Sequence, residues 1–476
     1  MNNRLSKKSI FSYMFGDFGC CLMSYLISMY FQFYCTNMLQ ISLVTIGVIM
    51  FICRIWDAAN DILVGNLVDH TRNKNGKARP WLKWFALPCV ISFIIMFTAP
   101  ESASVTVKVI WVAIGYFAFA LFYTTVNLPY GSLMPLMTKN PVDRASLSGI
   151  RMFGAMIGLL VVSAAALPLV SFIGEKLGTR TYGYSAVAII FGILVLICIY
   201  IVYANCHETS ETEGADVEKA EEKSKGETSG VPLLTGVKAL FTNREWLLVF
   251  LLTSLNYIRV PLTTSTLVYY FLYYFKMDET NSALFSTVSV LCGLILIPVT
   301  ATFIKKFDYK KTLIVTFILA GLSAIGGFLA GTNMMLALVF YSLYTMFTMV
   351  PTVAVVSMLA DTIEYGEYKN GFRQDGLGFA ANSFASKAMP AIGSMIMTVI
   401  FALAGLDTTQ GIGGAQLDSA IFSLRFSEFL LPAIITFIQA ALVCFYRLSS
   451  SKMKKINEEL EKKHADDSYA IEKIEL

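Results

Sequence analysis

The sequence predicts an all-α polytopic membrane protein built from two six-helix bundles, and three observations predict it. First, 56% of its 476 residues are hydrophobic and only 15% are charged, against roughly 45–50% and about 25% in soluble domains. So much apolar surface has no place in a water-facing shell, which excludes a soluble enzyme, a disordered scaffold and a nucleic-acid binder. Second, the apolar residues form runs near 10–38, 43–68, 81–99, 104–134, 147–172 and 182–204, and again near 242–275, 281–304, 311–331, 334–359, 377–405 and 422–447. A helix needs about 20 residues to cross a bilayer, and lipid forces each run to be a helix because an open strand leaves its backbone unpaired. Third, residues 207–230 hold almost no apolar side chains, can bury no core, and separate six runs from six.

The domain limits follow: a first bundle over 1–206, a cytoplasmic linker over 207–240, a second bundle over 241–448 and a polar cytoplasmic tail over 449–476. The halves echo each other in Phe31-Gln-Phe-Tyr-Cys35 and Phe271-Leu-Tyr-Tyr-Phe275, each followed by a span and a basic loop. Repeated halves suggest a transporter with its site at the midplane between them. Loops 69–83, 138–144, 205–244, 305–311 and 364–375 and both termini hold most of the Lys and Arg, whereas the opposite loops hold Lys108, Lys176, Arg180 and Lys276. Both termini are therefore expected in the cytoplasm. The first span has basic flanks but is too long for a cleaved leader, so it reads as a retained span. The absence of N-x-S/T sequons favours a prokaryotic inner membrane. The nine cysteines are scattered without metal spacing and read as small buried hydrophobes.

Ionisable residues inside spans are costly and mark function by default. They are Arg54, Asp57, Asp61, Arg151, Arg259 and Lys387, with Asp17 near the cytoplasmic end of the first span. Asp57 and Asp61 stand four apart, on one helix face. Two carboxylates so close need a proton, a bound cation, or basic groups such as Arg54 and Lys387. Asn60 adds a neutral oxygen, and such oxygens suit a hard cation; the competing reading is an ion-pair network that pins helices together. Arg151 opens the fifth span and reads either as a site residue or as a charge at the cytoplasmic end. Arg425 and Glu428 read as a surface pair reaching the membrane interface. The sequence assigns no role to Arg259 or Asp17. Asp69, in the loop 65–81, reads as a conformational latch or as part of a solvated basic turn. Glycines in Phe15-Gly-Asp-Phe-Gly19, with Gly154 and Gly158, allow close helix approach. All three histidines fall in cytoplasmic segments, and no Walker A, G-x-S-x-G or H-E-x-x-H occurs, so neither an ATP-driven pump nor a membrane hydrolase is indicated.

Arg54-Ile-Trp-Asp-Ala-Ala-Asn-Asp61 resembles the cation-site segment of the glycoside–pentoside–hexuronide:cation symporters, typified by the melibiose permease. So do Gly76-Lys-Ala-Arg-Pro-Trp81, Val126-Asn-Leu-Pro-Tyr-Gly-Ser132, Asp361-Thr-Ile-Glu-Tyr-Gly-Glu-Tyr-Lys369 and the Lys387 segment, in order over nearly the whole chain. The resemblance implies the major facilitator fold and a secondary transporter, not an enzyme. It implies no cofactor beyond a coupling cation, with Na⁺, H⁺ or Li⁺ left open. Its implied partners are a small sugar, that cation and membrane lipid, with no nucleic acid and a functional monomer. Carried over residue by residue, Asp57, Asn60, Asp61 and Thr124 hold the cation, with Asp57 and Asp61 as the metal ligands if it is sodium. Cys21, Asn127, Arg151 and Lys387 match substrate-site positions, and Arg144, Asp361 and Glu364 match a cytoplasmic charge gate.

The melibiose permease has aspartates where this chain has Cys21 and Asn127, and a sugar-stacking Trp at the position of Gly131. The Asn127 run and Gly16-Asp17 look more like the glucuronide permease branch. Two anions fewer, with Arg151 and Lys387 retained, make the expected pocket more positive, which favours a hexuronide among possible glycosides and pentosides. Two alternatives stay open: a cation-coupled carrier of a lysolipid or other amphipathic solute on the same fold, and a non-transporting membrane sugar receptor.

Overall fold

The computed structural model describes residues 5–71, 73, 76–138, 140–208, 233–371, 375–411 and 414–472, and no strand occurs among them. Eleven helices are long and apolar enough to cross a membrane, and the shorter apolar helix Thr280–Leu296 stands where the span 281–304 is expected. The fold class is therefore as expected.

The first half comprises α1 (Lys7–Leu26), α2 (Leu43–Asp69), α3 (Arg79–Met96), α4 (Val105–Met137), α5 (Pro141–Leu177) and α6 (Arg180–Asn205). The second comprises α7 (Leu233–Thr242), α8 (Arg244–Thr264), α9 (Thr266–Tyr269), α10 (Thr280–Leu329), α11 (Met334–Asn370), α12 (Asp375–Leu403), α13 (Asp418–Arg425), α14 (Leu431–Cys444) and α15 (Ser450–Glu472). α10 is two helices joined at Asp308, whose φ of 68° is not helical. Polar caps set many ends: the Ser42 hydroxyl accepts from the Thr45 amide ahead of α2, and Asn333 accepts from Leu336 ahead of α11.

The chain divides into two compact units, Met1–Glu218 with Val260–Val290 and Pro390–Glu428, and Lys219–Arg259 with Leu291–Met389 and Phe429–Leu476. In the first unit α1 packs on α5 and α6, α3 on α4 and α6, and α2 on α4. Gly154 lets α5 approach so closely that an added Cβ would lie 2.5 Å from the Met14 carbonyl oxygen, and Gly16 leaves room for the Tyr130 ring. The Glu208 carboxylate accepts from the amides of Lys77, Ala78 and Arg79 at 2.8–3.0 Å, neutralising the start of α3. Gly76, at φ 99°, abuts that carboxylate, and a side chain there would collide with it. In the second unit α15 buries Met453, Ile456 and Leu460 in a cluster with Trp246 and Leu359. That apolar stripe on a charged helix docks the tail. Linker residues 209–232 and the side chain of Asp69 lie outside the described residues.

The repeat is visible in the backbone of the first unit, in a register four residues from the one the aromatic echo suggests. A π-helical turn over Tyr34–Met38 follows α1, and another over Tyr270–Tyr274 follows α9. The amides of Leu39 and Ile41 donate to the carbonyls of Tyr34 and Cys35, and those of Phe275 and Met277 donate to Tyr270 and Phe271. Gln40 and Lys276 then both take left-handed φ, 59° and 54°. The two turns meet at equivalent residues: Asn37 Nδ2 donates to the Tyr273 hydroxyl at 2.6 Å, 236 positions away.

Candidate cation and substrate sites

Asp57, Asn60 and Asp61 lie on α2 against α4. The Thr124 hydroxyl donates to Asp57 Oδ1 at 2.8 Å. Asn60 is 1% exposed, and its Nδ2 donates to the Leu121 carbonyl at 3.1 Å. That bond spends the donor end of the amide and leaves Asn60 Oδ1 as a neutral acceptor. Two carboxylates, a hydroxyl oxygen and an amide oxygen are thus gathered on one helix pair. Oxygens of these types are the ones hard cations take as ligands.

A second group joins α1, α4 and α5. Arg151 Nε donates to Asp17 Oδ2 at 2.5 Å, with the two side chains 33% and 12% exposed. The guanidinium lies 5.2 Å from the Tyr130 ring centre. Tyr130 stacks on Tyr13 at 4.6 Å, and each hydroxyl donates to the other residue's carbonyl at 2.9 and 2.7 Å. Arg151 therefore stands within α5 and pairs with α1 through Asp17. Cys21 is half-buried one turn beyond Asp17 on the same face of α1, beside Gly158. Asn127 is half-buried one turn beyond Thr124 on α4. A Cβ at Gly131 would lie 3.7 Å from the Arg151 guanidinium, so space takes the place of an aromatic ring beside that charge. The carboxylate missing at Cys21 has a counterpart at Asp17, and it neutralises the arginine whose free charge the positive-pocket argument required.

Lys387 lies half-buried on α12, in the second unit. Arg144 is exposed near the start of α5, where its Nε donates to the Thr138 carbonyl at 2.9 Å. Asp361 and Glu364 are half-buried on α11 in the second unit. Arg259, without a role in the sequence, is 5% exposed. Its Nη1 donates to the Tyr344 hydroxyl at 2.6 Å and its Nη2 to Asn256 Oδ1 at 2.8 Å. The expectation of a surface pair at Arg425 and Glu428 is overturned. Glu428 is 0% exposed and neither oxygen has a hydrogen-bond partner among the described residues, while the Arg425 guanidinium lies over the Tyr274 ring. A π-helical turn over Phe426–Leu430 adds a residue to the turn and takes the two off a common face.

A family model described as MFS/sugar transport protein matches residues 12–450. The chain belongs to that family. It is 29% identical over 460 residues to the isoprimeverose transporter of Lactiplantibacillus pentosus, covering 96% of this chain and 92% of that protein. It is 25% identical over 477 residues to a putative glycoside/cation symporter of Escherichia coli, covering 98% of each. Among solved structures it resembles a D-xylose-proton symporter, with a TM-score of 0.66 at 13% identity over 93% of this chain and 98% of that one. The twelve-helix major facilitator fold follows. This MFS sugar transporter is a multi-span membrane protein of a family of transporters rather than enzymes.

In this transporter the Asp17–Arg151 pair has a direct test. Arg151→Gln leaves Asp17 buried without its counter-charge. The expected destabilisation lies toward the lower end of the roughly 3–5 kcal/mol seen for broken buried pairs, since a third of the guanidinium is exposed. Asp17→Asn combined with Arg151→Gln is expected to restore most of the thermal midpoint of the purified protein. A double variant no more stable than Arg151→Gln would show that the pair carries no such coupling.

Proposed function

We propose that this protein is a cation-coupled glycoside symporter of a bacterial inner membrane, with both termini cytoplasmic and working by alternating access. The observation that carries the coupling is the pair Asp57 and Asp61 on one face of a spanning helix, with the Thr124 hydroxyl on Asp57. A cation between the carboxylates relieves their repulsion and lets the sugar site form. By linkage the sugar tightens the cation equally. Arg151, Lys387, Cys21 and Asn127 are the proposed sugar-side residues. Arg144, Asp361 and Glu364 are the proposed cytoplasmic gate. The bundles over 1–206 and 241–448, with their linker and tail, are the proposed moving parts, and one chain suffices.

The substrate is proposed to be a neutral glycoside. Asp17 already supplies Arg151 with a carboxylate at 2.5 Å, so a uronic acid would have to displace it. The test is uptake of labelled glucosides, xylosides and glucuronides into right-side-out vesicles, with Na⁺ and pH gradients imposed separately. Accumulation of a neutral glycoside driven by one gradient is the expected result. Preferential accumulation of the glucuronide restores the hexuronide reading. A lack of gradient-driven uptake across the panel overturns the function proposed, in favour of an amphipathic solute or a sensing role.

A further inference from the structure

The second unit contains a cavity that none of the proposed cation, sugar or gate residues lines. It encloses about 50 Å³ of free space and widens to about 420 Å³ with its open mouth. The inner part has room for a few water molecules or for one edge of a sugar ring. Its polar lining comprises Thr253, Asn256 and Tyr257 of α8, Thr352 of α11, Asn382 of α12 and Gln439 of α14. None is charged at neutral pH.

The hydrogen bonds already made fix what this lining still offers. Gln439 is 0% exposed. Its Nε2 donates to the Leu252 carbonyl at 3.0 Å, an atom that can only accept, so the amide orientation is determined. Its Oε1 is buried and has no hydrogen-bond partner among the described residues. A buried acceptor left without a donor costs free energy that a ligand hydroxyl would recover. Asn256 is set the opposite way. Arg259 can only donate, and its Nη2 holds Asn256 Oδ1 at 2.8 Å, which makes Nδ2 the amide's remaining group. The Thr253 and Thr352 hydroxyls donate to the carbonyls of Val249 and Thr348, at 2.9 and 3.1 Å, and keep their oxygens as acceptors.

Fixed acceptors beside a fixed donor suit groups that both donate and accept, and hydroxyls do both. An anion would meet the Gln439 oxygen, with the neighbouring Arg259 charge already engaged on Asn256 and Tyr344. An acyl chain would leave that oxygen unpaired. We propose that this cavity is a subsite for the hydroxyl-bearing edge of a neutral carbohydrate, with Gln439 and Asn256 as binding residues and Arg259 orienting Asn256. The inference rests on the glycoside reading and adds residues, Gln439 and Asn256, that the family resemblance does not point to.

The test uses the full chain in proteoliposomes, with methyl xyloside, methyl glucoside and their mono-deoxy analogues as probes. Gln439→Met, close in size and without the amide, is expected to weaken binding of the better methyl glycoside about tenfold. Thr352→Val is expected to weaken it severalfold. One deoxy analogue should bind wild type about tenfold more weakly than its parent, yet bind Gln439→Met no worse than the parent does. Arg259→Gln should raise KM for the same glycoside more than it lowers kcat, and Arg259→Lys should restore it. The stabilisation of each variant by the coupling cation should match wild type, which reports a folded first unit. Unchanged affinity in Gln439→Met and Thr352→Val overturns the subsite alone. Failure of wild type to bind either methyl glycoside overturns the glycoside reading, and the subsite with it.

Discussion

Asp57→Asn and Asp61→Asn are each expected to abolish gradient-driven accumulation while leaving a folded carrier. The reasoning begins with what each substitution keeps. The Thr124 hydroxyl donates to Asp57 Oδ1 at 2.8 Å, and an asparagine carbonyl accepts the same bond. The α2–α4 contact therefore survives. The substitution removes one of the two negative charges that make a cation worth binding at this place. A membrane potential supplies about 2.3 kcal/mol per charge for each 100 mV, close to fifty-fold in accumulation for one coupled cation. Without the cation that ratio falls to about one. Exchange of internal for external sugar needs no net gradient and is expected to persist at a reduced rate. Vesicle uptake with an imposed Na⁺ or proton gradient reads the first effect, and counterflow reads the second. Cation-dependent accumulation that persists in both asparagine variants excludes the pair as the coupling site, and the ion-pair network becomes the better account of those carboxylates.

How much of this was legible in the sequence depends on the distance over which each interaction acts. Hydropathy is local, so the spans and their division into two sets of six are readable residue by residue. Asp57 and Asp61 are readable because four residues make one helical turn. Thr124 entered only through the family resemblance, and its contact with Asp57 spans 67 positions. Asp17 carried no role because its partner, Arg151, is 134 positions away. The positive-pocket argument counted the anions missing at Cys21 and Asn127 but not the one present a turn earlier at Asp17. Arg259 and Asn256 stand three apart on one helix, and that spacing was a signal available in the sequence. The surface pair expected at Arg425 and Glu428 did not form, because the chain makes a π-helical turn there and buries the carboxylate.

Arg180 shows the largest gap between what a loop charge suggests and what it does, and its replacement is expected to have the second large effect. The sequence counts it only among the few basic residues of the loops opposite the termini. In the first unit it stands at the start of α6, with Nη2 on Asp278 and Nη1 on Glu279, so that one guanidinium ties α6 to the segment leading into α10. Thr179 beside it donates to Glu101 at 3.2 Å. The Glu279 side chain is 4% exposed and that of Asp278 31%, so removing Arg180 strands one buried carboxylate and one that water can reach. Arg180→Gln is expected to destabilise the purified protein by about 3 kcal/mol, chiefly through Glu279. Arg180→Gln with Glu279→Gln should recover most of that loss, because an uncharged pair leaves no buried charge behind. Acid should discriminate further. Burial pushes the Glu279 carboxyl above its ordinary range even beside Arg180. Burial also acts on Asp278, but bonds from Thr280 and Arg180 outweigh it and hold that carboxyl lower. A group with a raised pKa binds its proton more tightly in the folded form, so lowering the pH favours the fold through Glu279 and disfavours it through Asp278. These opposed effects partly cancel in the wild type. In Arg180→Gln only the buried Glu279 remains strongly perturbed, and its cost is relieved by protonation. The thermal midpoint of Arg180→Gln should therefore rise between pH 7 and pH 5 by more than that of the wild type, and adding Glu279→Gln should abolish the difference. A midpoint for Arg180→Gln equal to wild type at pH 7 would mean that the guanidinium is a solvated surface charge after all.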